Sequence, residues 1–130
     1  MSTEPTRFVE MVFPEHANHY GTLFGGHALS LMGKAAFVAA TRRARCAVVT
    51  ATSDKVEFHE PVRLGELVEL TAQVERVGRS SMTVVVCVIA ERPTTGYRRI
   101  AMQGSFEMVA VDEAGRPTPL PTETQEKVTP

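Results

Sequence analysis

From Gly26 onward, Ala28, Leu29, Leu31, Met32, Ala35, Ala36, Ala39 and Ala40 recur at steps of three and four residues. That period specifies a helix with a wide buried face. Arg42, Arg43 and Arg45 mark its end, where cations suit the negative pole of the helix dipole. It is the one long helix that the sequence implies. A lone apolar helix needs a cover, and the rest of the chain must supply it.

The remaining segments have the texture of strands. Residues 6–13 read as a short first strand ending at Pro14, followed by the polar loop EHANHYGT. From Ala47 the residues become β-branched, through AVVTATSDKVEF to a PVRLG turn. LVELTAQVE alternates, with Val68, Leu70, Ala72 and Val74 on one side, as a half-buried antiparallel strand does. VGRSS reverses the chain into MTVVVCVIA, which is apolar on both faces and so belongs in the centre of a sheet. ERPTTGYRR is another turn and IAMQGSFEMVAV the last long strand. One helix followed by four strands on short turns is best packed as a curved antiparallel sheet around that helix, an α+β fold of the hotdog type.

With 130 residues the chain has room for a single domain, 1–130, with residues 1–5 and about 113–130 expected as flexible tails. The 14 basic and 15 acidic residues leave a net charge of -1, which gives no general attraction to nucleic acid or to an anionic membrane. No apolar run reaches the ~18 residues of a membrane span, and the first residues lack the pattern of a signal peptide. The two cysteines, Cys46 and Cys87, have no metal-type spacing and suit a reducing cytoplasm. The expected location is therefore cytoplasmic.

NHYGTLFGGHALSLM, VVTATSDKVEFHEPVRLGE and VERVGRSSMTVVV together resemble the acyl-coenzyme A thioesterase branch of the hotdog superfamily, in particular the bacterial broad-specificity acyl-CoA hydrolases related to the cytosolic mammalian ones. The likeness runs from Phe8 to about Val111, and LFGG, F-x-x-P-V-x-x-G and VGRSS in this order are jointly specific. It implies hydrolysis of an acyl-CoA thioester, with no cofactor beyond the coenzyme A of the substrate. It also implies a site between subunits whose sheets join edge to edge, in a homodimer at least and in a tetramer or hexamer if dimers assemble further. A small sheet with open edges points the same way.

The resemblance places the carbonyl-polarising amides at Gly25, Gly26 and His27. Unpaired amides at a helix start independently favour negative charge on oxygen. It also implies a carboxylate two turns into the helix, as general base or nucleophile, and that place is held by Gly33. Between Glu15 and Asp54 there is no acid at all. A mid-helix glycine costs about 1 kcal/mol relative to alanine, so Gly33 either serves close packing or marks a lost catalytic acid. A companion acid or amide is absent at Thr22. Replacement bases are Asp54, on the strand beside the helix, and His19 and His27, which flank the glycine loop; each also has an ordinary structural reading. His59 is a weaker candidate. Asn18 can orient a water or the thioester, or cap the loop. Thr22, Phe24 and Gly33 are candidate substrate contacts, as are Arg79, Ser80 and Ser81 for the nucleotide. Ser30 stands in no nucleophile elbow. Cys46, at a helix C-terminus, lies at the wrong end of the dipole for activation.

Two functions are consistent with these residues. One is an acyl-CoA thioesterase with an atypical base; the other is a hotdog module that binds acyl-CoA without turning it over.

Overall fold

The computed structural model describes residues 4–121 and 124. Strand β1 (Thr6–Met11) leads through a short 3-10 turn (Pro14–His16) to helix α1 (Gly25–Ala44). Strands β2 (Val48–Phe58), β3 (Leu67–Val77), β4 (Ser81–Glu91) and β5 (Arg98–Ala110) follow. All pairings are antiparallel, in the order β1-β3-β4-β5-β2. β4 is thus the middle strand, as its two apolar faces imply, and the sheet curves round α1, which touches every strand.

The helix is thin on its buried side. Ala28, Ala35, Ala36, Ala39, Ala40 and Ala44 join Met32 against the inward row Met82, Val84, Val86, Val88 and Ala90 of β4. Small side chains bring the helix backbone close to the sheet, so a curved sheet can touch it with five strands. Arg45, in the left-handed conformation at φ 56°, ends the helix with its amide on the Thr41 carbonyl.

β2 is an edge strand, and nearly all of it is exposed. Its pairing with β5 slips twice, between Thr50 and Thr52 and between Asp54 and Glu57, with Lys55 at a φ of 52° inside the second slip. Gly104 of β5 makes the second slip possible, since a Cβ there would stand 2.9 Å from Val56 Cγ2 and 3.2 Å from Met32 Cε.

The expected C-terminal tail is docked as far as Leu120. Val111 bridges to Pro117, and Leu120 is buried with its amide on the Arg79 carbonyl. A single apolar side chain seated against the β3–β4 hairpin is enough to hold a stretch whose composition reads as coil. Residues 1–3, 122, 123 and 125–130 of the expected tails lie outside the described residues.

One buried ion pair organises the end of the molecule where α1 begins. Glu66 takes both Arg99 amino groups, at 2.8 and 2.9 Å, and the Arg63 amide at 2.8 Å. Arg99 also donates to the Pro61 carbonyl at 2.9 Å. Through these bonds the 61–66 turn is held rigid, and the turn in turn holds the loop before the helix: Leu23 donates to the Val62 carbonyl, Leu64 to that of Gly21, and Gly65 to that of Val12. The Arg99 guanidinium holds the Glu66 carboxyl below the usual glutamate range.

Because the folded state favours the ionised form, Glu66 stabilises the fold fully above the ordinary glutamate pKa of about 4.3. That stabilisation is lost as the pH falls through the lowered folded value. Glu66→Gln is therefore expected to cost roughly 3 kcal/mol at pH 7, as for a buried pair broken on one side. The gap from the native protein in urea unfolding should narrow below pH 4.

Candidate active site

The first turn of α1 opens without a cap. Phe24 at the N-cap has an extended backbone and makes no side-chain cap bond, and the first turn holds no acid. The first helical bond runs from the Ala28 amide to the Phe24 carbonyl, so the amides of Gly25, Gly26 and His27 have no backbone partner among the described residues. Nothing lies within 4 Å of where a Gly25 Cβ would stand, whereas a Cβ on Gly26 would meet the Phe24 ring at 2.7 Å. Gly25 thus presents open backbone, and the exposed Phe24 ring packs over Gly26. Beside them lies a pocket of about 270 Å³ with an apolar wall of Leu23, Ala28, Phe58, Val62 and Met102. Free amides at the positive pole of a helix, next to an apolar pocket, suit a polar carbonyl carried on an apolar chain.

The loop before the helix is a hairpin. Ala17 bridges to Leu23, the Phe24 amide donates to the His16 carbonyl, and Asn18 and Thr22 pair at 2.8 Å. Its tip turns at Gly21, whose φ of 79° favours glycine. Asn18 closes the tip with Oδ1, which accepts from the Tyr20 amide, the Thr22 amide and Thr22 Oγ1. The Thr22 hydroxyl therefore donates inside the loop.

The two flanking histidines go different ways. His19 is exposed and lies tilted against Tyr20, with ring centroids 4.0 Å apart. His27 stacks flat on His16, at 4.0 Å and 2°, on the side of the helix facing the 3-10 turn, with Nε2 buried and unpartnered. His16 was not singled out in the sequence, because a stack across a hairpin leaves no spacing signal.

Gly33 lies on the helix side that faces β2, in a row with the exposed Leu29 and Phe37. A Cβ there would find only the Phe106 ring, at 3.9 Å, so the space where a side chain would stand is open. Across from it, residues directly paired in the sheet share a face. Thr50 pairs with buried Met108, and its hydroxyl lies 3.5 Å from the sulfur. Ser53 pairs with buried Phe106. Both hydroxyl residues therefore face the helix.

Asp54 pairs with Ser105 on the outer row of β5, so it lies on the sheet face turned away from α1. The two slips in β2 decide this, and they hide its side from any reading of simple alternation. His59 Nε2 is 3.3 Å from Gln103 Oε1 and 4.0 Å from Glu57, and His59 and Glu60 line the pocket beside Gly25. Arg79, Ser80 and Ser81 form the β3–β4 hairpin at the other end of the sheet, and the Arg79 and Ser80 carbonyls accept from Leu120 and Ala110. One helix length, about 30 Å for 20 residues, separates them from the free amides, so one chain does not bring the two together. Among the described residues no cluster of three or more His, Cys, Asp or Glu is placed to hold a metal, and no helix is long and apolar enough to cross a membrane.

Comparison with known proteins agrees with this geometry. A family model described as thioesterase superfamily matches residues 20–97. The uncharacterized acyl-CoA thioester hydrolase YkhA of Bacillus subtilis is 38% identical over 139 residues, covering 98% of this chain and 81% of the relative. An acyl-CoA hydrolase from Staphylococcus aureus, solved with butyryl coenzyme A, coenzyme A and coenzyme A disulfide, superposes with a TM-score of 0.86 at 32% identity, over 93% of this chain and 74% of that one. An apo-hexameric acyl-CoA thioesterase gives 0.88 at 36% identity, over 97% and 85%. The Staphylococcus aureus protein has also been solved with an asparagine, an aspartate or a threonine replaced by alanine. In that protein the aspartate follows the asparagine by fifteen residues, and the threonine follows the aspartate by seventeen. On the family match, the identity to YkhA and the shared five-strand, one-helix architecture, this chain belongs to the thioesterase superfamily.

Proposed function

We propose that the protein hydrolyses acyl-CoA thioesters to the free acid and coenzyme A, with water as the only co-reactant. The observation that carries this is the uncapped start of α1 beside an apolar pocket. Its free amides stabilise the oxyanion that forms when water attacks the thioester carbonyl, and the pocket takes apolar substrate. Collapse of that intermediate breaks the carbon–sulfur bond and releases the thiol.

The site is completed by a second copy. Gly33 lies seven residues beyond Gly26, about 10 Å along the helix, too far to act on a carbonyl held at its own helix start. The hairpin with Arg79 is farther still. β2 offers an open edge of eleven residues, and pairing it with the same strand of another copy satisfies its backbone groups. Both helices then lie on one face of a continuous sheet, and position 33 of one chain can approach the amides of the other. A homodimer is the minimum assembly, and the hexameric relatives favour a larger one. The two free cysteines suit a cytoplasmic location.

The asparagine-to-aspartate-to-threonine spacing of the Staphylococcus aureus protein, laid on this chain from Asn18, falls on Gly33 and then on Thr50. Thr50 faces the helix, and Asn18 closes the loop before it. Gly33 thus stands where that relative has an aspartate. One observation favours the second reading, an acyl-CoA-binding module: residues 16–53, which include the helix and the helix-facing Thr50 and Ser53, contain no acid.

Thiol release from acyl-CoA substrates, acetyl to palmitoyl with aryl-acyl examples, is the deciding measurement. The native protein is expected to turn over at least one of them; coenzyme A binding without turnover establishes the module instead. Gly33→Asp should raise kcat by about 100-fold, the usual scale of a positioned general base. Asp54→Asn, on the outer face, should keep kcat within about threefold, because its carboxylate cannot reach the water in a proton-transfer geometry.

A further inference from the structure

Hydrolysis needs a group that takes a proton from water, and the fold removes most of the candidates. Residues 16–53 contain no acid, Asp54 lies on the outer sheet face, and His19 stands exposed at the loop tip. His27 is stacked on His16, on the side of α1 that faces the 3-10 turn. Two ionisable residues line the pocket beside Gly25, and they are His59 and Glu60. Glu60 has its carboxylate 4.0 Å from Arg99 Nε, at the edge of the buried ion pair.

His59 is free to act as a base on one ring nitrogen. Its amide and that of Glu60 both donate to the Ala101 carbonyl, at 2.8 and 3.3 Å, which fixes the chain where β2 ends. Nε2 lies 3.3 Å from Gln103 Oε1 and 4.0 Å from Glu57 Oε1. Both neighbours are acceptors, so the neutral ring carries its proton on Nε2. Nδ1 is left unprotonated, and among the described residues it has no partner. Gln103 is itself held across the sheet, where it pairs with Cys87 and bonds its thiol.

We infer that His59 is the general base of this protein, acting through Nδ1, and that Gln103 is the residue that positions it. The inference rests on the hydrolase reading. Nδ1 takes a proton from water as the water oxygen bonds to the thioester carbonyl carbon, and the negative charge falls on the carbonyl oxygen at the helix-start amides. The carbon–sulfur bond then breaks, and the imidazolium returns the proton to the departing sulfur. Gly25 and His59 share the wall of one pocket of about 270 Å³, so carbonyl, water and imidazole meet in a single small space. This base comes from the chain that supplies the amides, whereas position 33 reaches them only from a second copy.

Two substitutions test the two roles. His59→Gln removes the base at a side chain that is 41% exposed; kcat should fall about 100-fold, with KM within twofold and the melting temperature unchanged. Gln103→Leu removes the acceptor of Nε2; kcat should fall about tenfold with KM within twofold, and Gln103→Glu should restore it. The double variant should be no slower than His59→Gln alone, because Gln103 acts only through the ring. Retained kcat in His59→Gln, a loss that appears in KM, losses that multiply in the double variant, or a loss in Glu60→Gln as large as in His59→Gln would overturn the inference, while native turnover keeps the hydrolase reading intact. A native protein that releases no thiol from any acyl-CoA overturns both. Should Gln103→Leu fail to fold, His59→Gln still decides which group is the base.

Discussion

The bond between Glu66 and Arg99 is the constraint on which the functional end of this molecule depends. A carboxylate and a guanidinium leave water together only where geometry is good and the remaining donors are used, and here both conditions are met. Glu66 accepts from Arg99 twice and from the Arg63 amide, and Arg99 has the Pro61 carbonyl as well. The 61–66 turn so fixed is the surface on which the 17–23 hairpin lies. Without it the helix would still pack, since its alanine face has its own contacts, but the loop that meets its first turn would have no floor.

The helix itself is shaped by what it lacks. Alanines on the buried face let the sheet approach, and glycines at 25 and 33 leave backbone uncovered or space unfilled, while Gly26 makes room for the Phe24 ring. The outward side toward β2 carries Leu29 and Phe37 exposed, next to an edge strand whose backbone groups are open. An apolar row beside an unpaired edge is the surface on which the proposed dimer pairs, and it is the same surface on which the helix-facing hydroxyls of Thr50 and Ser53 lie. In the dimer proposed above, assembly and chemistry share one face.

Much of the architecture was legible because its signals are periodic. The three-and-four spacing of the alanines marked α1 to within a residue, and alternation from Val68 to Val74 marked the inward face of β3. What was not legible rests on breaks in period. Two slips in β2 put Asp54 on the far face, where simple alternation leaves its side open. Leu120 docks alone among prolines and threonines, so nothing in its neighbourhood announced an ordered segment. The fan of donors on Asn18 depends on a turn through Gly21 that a sequence only suggests. Glu66 did leave a mark: it stands in phase with Val68 and Leu70, a charge in an apolar row, which means either a buried partner or a misplaced strand.

The helix rise carries a consequence for mixed populations. Because seven residues span about 10 Å, position 33 and the free amides of one helix belong to different reaction centres in the dimer proposed above. In a hybrid of this chain with a copy bearing aspartate at that position, the acid serves the centre built on the glycine chain's amides, and the other centre goes without. Each protomer's sequence is then expressed in its neighbour's chemistry, and a population of unlike chains has properties that neither pure form displays.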